Sequence, residues 1–274
     1  MDVVCKLRKE LEKIKDPARA KILQRFFKTG KGEYGEGDIF LGITVPQSRK
    51  IAKKYYSLNI KELKVLISSK IHEERMIALF IMINKYKTTN HEKIIFNFYL
   101  KNMKYINNWD LVDLSAPNIV GAHLYENEFF ARQSRISDNS QFARGPVTRF
   151  PPASAPLTVR AVGSLSSRAT PRSVLMTLVK SKNLWERRIA VLATFYFIKN
   201  NKFEESLKLA EILLQDKHDL IQKAVGWMLR EIGKKDPDTE IKFLNINYKK
   251  MPRTMLRYAI ERFPEKLRLS FLKK

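Results

Sequence analysis

Apolar residues recur at three- and four-residue spacing along most of the chain, with Lys, Arg and Glu between them. Leu7, Leu11 and Ile14 predict one face of a helix. So do Leu63, Leu66 and Ile67, and again Leu207, Ala210 and Leu214. No stretch alternates apolar and polar residues long enough to predict a sheet. Gly30, Gly32, Gly35 and Gly37 mark a loop near the start of the chain. After it, Thr44 predicts a helix N-cap with Pro46 in the first turn.

The helical segments resemble one another. Ile71 to Ala78 (IHEERMIA) resembles Leu184 to Ala190 (LWERRIA), and an apolar, aromatic-rich run follows each. Leu220 to Gly226 reads as a third copy and Arg253 to Ala259 as a looser fourth. The starts at Leu184 and Leu220 lie 36 residues apart, and the step of 113 from Ile71 to Leu184 is close to three such periods. Two helices per unit at that spacing predict an all-α, HEAT-like helical repeat solenoid, an α-α superhelix whose stacked units present one long curved face.

Charge decides what such a face would meet. Lys+Arg number 52 against 28 Asp+Glu, for a formal net charge of +24. A field of that sign attracts polyanions: DNA, RNA or an anionic membrane surface. The most apolar run, Ile77 to Ile83, is far too short for a bilayer span, and no membrane partner is expected. The N-terminus has no apolar signal region. The single Cys5 cannot form an internal disulfide and reads as a small apolar residue on a helix face. A cytoplasmic, nucleoid-associated monomer is expected.

One segment departs from the pattern. From Ala131 to Arg172 there is no lysine, while Pro146, Pro151, Pro152, Pro156 and Pro171 accumulate among Ser and Arg. Such composition buries little apolar area. It is read as a flexible insertion, with a foreign or frameshifted coding stretch as the second reading. It divides the chain into repeats over 1–130, the insertion over 131–172, and further repeats of the same solenoid over 173–274.

Three strings carry candidate chemistry. In Asn108 to Asp113 (NWDLVD), Trp109 and Asp113 are four apart and share a helix face. A carboxylate on a face that meets phosphate needs a reason. From spacing alone the pair reads as structural, with Asp110 or Asp113 capping or pairing with a neighbouring helix and Trp109 in the core. In Leu184 to Arg188 (LWERR), two arginines open an apolar helix, so at least one must point away from the core; Trp185 reads as core. In Lys223 to Glu231 (KAVGWMLRE), Trp227 lies 39 residues after Arg188, which lies 79 after Trp109. These three therefore project from related positions on neighbouring units. Core packing is the competing reading for Trp227, and Gly226 beside it permits close helix approach.

These strings closely resemble the AlkD-like DNA alkylation repair family. Ile39 to Pro46 (IFLGITVP) is similar to that family's N-terminal signature, and the likeness covers most of the chain outside 131–172. The resemblance implies a superhelix of HEAT-like repeats with a concave basic DNA-binding face. It implies a glycosylase acting on cationic N3- and N7-alkylated purines in duplex DNA, with no metal or organic cofactor. It places the catalytic aspartate at Asp113, the DNA-facing tryptophans at Trp109 and Trp227, and the active-site arginine at Arg188, expected to grip a phosphate. Arg230 and Lys234 match backbone-contacting basic residues. No lysine stands beside Trp109 or Asp113 as a Schiff-base nucleophile, so no strand-cleaving lyase step is expected. The alternatives are a non-catalytic repeat protein that binds damaged or branched nucleic acid and an adaptor for acidic proteins. An acid buried in a salt link, or lying far from both indoles, would favour the nucleic-acid holder.

Overall fold

A computed structural model describes residues 3–88, 91–127 and 171–273. The chain opens with α1 (Val3–Ile14) and α2 (Pro17–Phe26) and continues with α3 (Val45–Lys54), α4 (Ile60–Ile67), α5 (His72–Thr88), α6 (Glu92–Lys101) and α7 (Trp109–Ala116). It resumes with α8 (Pro171–Val179), α9 (Leu184–Lys199), α10 (Glu204–Ile212) and α11 (Asp219–Gly233), and ends with α12 (Pro237–Asn247), α13 (Arg253–Ala259) and α14 (Glu265–Leu272). No strand forms among the described residues; Ile39 and Ile71 make one isolated parallel bridge.

The start of α3 follows from its sequence. The Thr44 hydroxyl accepts from the Gln47 N–H while the Gln47 side chain accepts from the Thr44 N–H, a reciprocal cap with Pro46 in the first turn. The α5 helix is different in kind. Thirteen of its seventeen residues are buried, so the apolar run that is too short for a membrane forms a helix enclosed on nearly all sides. No helix among the described residues is long and apolar enough to cross a membrane.

The helices stack in two rows. One row is α3, α5, α7, α9, α11 and α13, each packed on the next; α4, α6, α8, α10 and α12 form the second row. All four sequence copies fall at the start of first-row helices, in α5, α9, α11 and α13. Helix-on-helix burial joins them into one apolar core running from Val4 to Phe271. Gly226 lets two neighbours meet: a Cβ there would collide with the Met255 carbonyl oxygen of α13. The expected insertion lies outside the described residues, except that Pro171 and Arg172 already belong to α8.

Candidate active site

Asp113 and Arg188 come together from helices 75 residues apart in sequence. The Arg188 Nε donates to Asp113 Oδ1 at 2.8 Å and Nη2 donates to Oδ2 at 2.8 Å, a two-pronged match of guanidinium and carboxylate. Nη1 donates to the Leu220 carbonyl at the start of α11. Arg188 thus joins α7, α9 and α11. It is only 5% exposed, and three of its five N–H groups are spent on Asp113 and Leu220, so the phosphate grip expected of it would rest on the remaining two. Its neighbour Arg187 is committed as well, to Asp216 at 2.8 Å. Neither arginine of the pair points freely outward.

The salt link that would favour a nucleic-acid holder is therefore present, but it is not sealed. The Asp113 side chain keeps 18% of its surface exposed, and each carboxylate oxygen takes one bond from Arg188 while having room for another. Burial pushes the Asp113 carboxyl above the ordinary carboxylate range; Arg188 opposes that shift and Asp110 adds to it. Four residues on, Pro117 lacks the N–H that would normally reach the Asp113 carbonyl, and α7 continues as a π-helical turn, Pro117–Gly121.

Trp109 begins α7, one turn before Asp113. Its backbone N–H is capped by the Asn108 side chain at 2.8 Å. The half-buried indole stacks on Phe27 at 5.1 Å between centroids and meets the edge of Phe26 at 5.9 Å. The column continues from Phe27 to Phe40 at 5.0 Å and from Phe40 to His72 at 4.4 Å. Phe26 is 62% exposed, a large apolar surface beside the indole.

His72 anchors the far end of that column. Its Nε2 lies 2.8 Å from Asp110 of α7, and its Nδ1 lies 3.3 Å from Asp38 of the preceding loop. Arg75 stands 2.7 Å from the same Asp38 carboxylate. Burial pulls the His72 imidazole down, but the Asp110 and Asp38 carboxylates outweigh it and hold the ring above its ordinary value. The two carboxylates, the imidazole and the Arg75 guanidinium form one largely buried cluster. The next residue, Glu73, accepts the backbone N–H groups of Leu41, Gly42 and Ile43 at 2.9–3.2 Å. Gly42 holds φ +81°, and a Cβ there would press on the Asp16 carbonyl oxygen, so this turn needs glycine.

Trp227 is half-buried on α11, with its ring 5.8 Å from Phe195 and its Nε1 donating to Glu231 at 3.0 Å. It faces neither wholly inward nor wholly outward, so core packing describes only part of it. Lys234 pairs with the same Glu231 at 2.6 Å, and Arg230 pairs with Glu261. Both cations have a carboxylate of this chain as partner, which a phosphate would have to displace. Trp185 is 8% exposed, in the core as expected.

Sequence reading missed Phe26, Phe27, Tyr34, Asp38 and His72 as neighbours of this site; it did offer Asp110 as pairing with a neighbouring helix, and Asp110 meets His72 of α5. Tyr34 reaches from the glycine-rich loop to α9, where its ring meets the edge of Trp185 at 5.9 Å. Burial pushes its hydroxyl up, opposed by a hydrogen bond with Trp109. The one signal in the sequence was four consecutive charged or titratable residues, His72 to Arg75, directly before an apolar run: a helix that must bury charge needs partners elsewhere.

Stacked helix pairs over a continuous core place the protein among the HEAT-like repeat proteins, with an acid–guanidinium pair and two indoles on its first-row helices. A family model described as DNA alkylation repair enzyme matches residues 7–142 and 156–263, and the chain belongs to that family. Among solved structures it is similar to a predicted DNA alkylation repair enzyme from Enterococcus faecalis, with TM-score 0.61, 14% identity, and coverage of 92% of this chain and 97% of that one. It also matches AlkD2 from Streptococcus mutans, with TM-score 0.46, 19% identity, and coverage of 91% and 99%. At such identity the first likeness speaks for the fold. No curated protein matches the chain.

Proposed function

We propose that this member of the DNA alkylation repair family is a monofunctional glycosylase, which hydrolyses the bond between deoxyribose and a cationic alkylated purine in duplex DNA. Alkylation at N3 or N7 gives the base a positive charge and makes it a good leaving group, so no acid is needed to protonate it. As the bond lengthens, the sugar takes on oxocarbenium character. Catalysis then requires a fixed negative charge where the cation develops and a group that can orient water. Asp113 supplies both. The observation that carries this reading is the two-pronged Arg188–Asp113 pair, one helical turn from Trp109, with the carboxylate still open to solvent.

Arg188 is the positioning residue: it fixes the carboxylate plane before substrate arrives. Trp109 and Trp227 offer electron-rich faces to a cationic lesion, each contact being worth about 0.5–2 kcal/mol. Phe26 extends the Trp109 wall. Arg230 and Lys234 would meet the DNA backbone after exchanging Glu261 and Glu231 for phosphate. In this reading the face formed by the first-row helices is concave and basic.

Asp113→Asn is expected to abolish release of 7-methylguanine from methylated duplex while leaving affinity for that duplex intact or improved. Equal release by wild type and variant would remove Asp113 from the mechanism. The Arg188 salt link also favours a second reading, in which the protein holds damaged or branched nucleic acid without chemistry. Binding of methylated duplex by the wild type with no base release would decide for it.

A further inference from the structure

A recess of about 980 Å³ lies between α3, α5 and α7, and its lining includes Leu114, the residue after Asp113. We propose that it is a second nucleic-acid site, binding an unpaired nucleotide: the base on the floor and the phosphate at the rim.

The floor is apolar, made by Phe80, Ile83 and Leu114. The rim carries Arg49, Lys53 and Lys87, and among the described residues no carboxylate lines the recess. Among the described residues none of these three cations makes an ion pair, whereas Arg187, Arg188, Arg230 and Lys234 all do. Three unneutralised cations around one opening call for an anion. Arg49 stands over Phe80, its guanidinium carbon 4.2 Å from the ring centroid, so cation and ring together form one wall of the recess. Two amides also line the recess, Asn118 half-buried and Asn84 exposed. Asn118 donates one N–H to the Leu114 carbonyl and keeps its oxygen, while the Asn84 side chain makes no hydrogen bond among the described residues. Side-chain amides read base edges, pairing donor and acceptor at once.

Apolar floor, amides and cationic rim offer partners for the face, edge and phosphate of a nucleotide. A paired base in a duplex shows neither its face nor its pairing edge, so the recess suits a nucleotide outside the stack. This deepens the reading of the protein as one that acts on DNA: it rests on nucleic acid as the ligand and not on base release.

The test uses the full chain. Binding of adenosine 5′-monophosphate is followed by calorimetry, and binding of labelled duplexes, plain or carrying a short bulge, by anisotropy at fixed salt. The wild type is expected to bind the bulged duplex about tenfold more tightly than the plain one. Asn84→Leu, which leaves every charge in place, should erase that preference. Arg49→Gln with Lys53→Gln should weaken the bulged duplex more than the plain one, with circular dichroism unchanged. Binding of the mononucleotide without preference for the bulge would keep the nucleotide as ligand and make free nucleotides its source. No mononucleotide binding together with equal affinity for both duplexes overturns the proposal. So does an equal loss on both duplexes in every variant, which would make the recess a general phosphate contact. A retained preference in Asp113→Asn separates this site from the catalytic one; a wild type that prefers the bulge yet releases no base sinks only the glycosylase.

Discussion

At Asp113 and its neighbours the chemistry depends on which charges are balanced and where. His72 is held above its ordinary value, so its ion-pair contribution is complete in acid and is lost as pH rises through that raised value. His72→Gln should therefore cost about 3 kcal/mol in acid, and the gap from wild type should narrow in alkali. Urea unfolding at the two pH extremes checks this; a gap that does not change with pH would mean the ring is neutral throughout. Glu240 behaves in the opposite surroundings. Burial pushes its carboxyl up to about 8, with Arg230 opposing, and its Oε1 has no partner. Folding thus favours the protonated acid, and that stability is lost as pH climbs from the ordinary 4.5 through about 8, by up to about 1.4 kcal/mol per pH unit. Glu240→Gln should flatten the slope. Beyond the charged run His72 to Arg75, little of this was legible in the sequence. Glu240 sits in an ordinary amphipathic helix, and nothing in its spacing says that Gly233 will lie against its carboxyl. Asp113 was legible through its motif, yet its bond to Arg188 was not, because spacing gives the face of a helix and not what the next unit presents to it.

Among the helices, capping and periodicity were readable and close approach partly so. Thr44, Gln47 and Pro46 announce α3 because all the interactions that start it lie within one turn. The copies at Ile71, Leu184, Leu220 and Arg253 announce the first row because the same face is buried each time. The aromatic column from Trp109 to His72 was invisible. It joins α2, the loop after it, α5 and α7, and long-range packing leaves no periodic mark. Gly226 permits a contact that can be tested. Adding a methyl group there sets it against the α13 backbone, which cannot rotate away, so Gly226→Ala should destabilise by about 1–3 kcal/mol. An unchanged urea midpoint would mean that α11 and α13 slide apart at no cost.

For the whole molecule, a net charge of +24 means that the DNA binding proposed above would be a counterion-release process. Affinity for duplex should fall steeply and linearly on a log–log plot against salt. If Lys234 exchanges Glu231 for a phosphate, Lys234→Ala should lower that slope by about one and weaken plain and alkylated duplex alike. An unaltered slope would leave Lys234 with its internal carboxylate.

Arg188 gives this scale a further meaning. One guanidinium holds the acid of α7 from α9 and the backbone of α11 at once, so three successive units share a single rivet. None of them can swivel against the next without drawing the rivet from one of its holes. Under the proposed glycosylase reading, flexing of the coil by a bound duplex would be felt as torque at the Asp113 carboxylate, linking how the protein grips to how the acid is aimed.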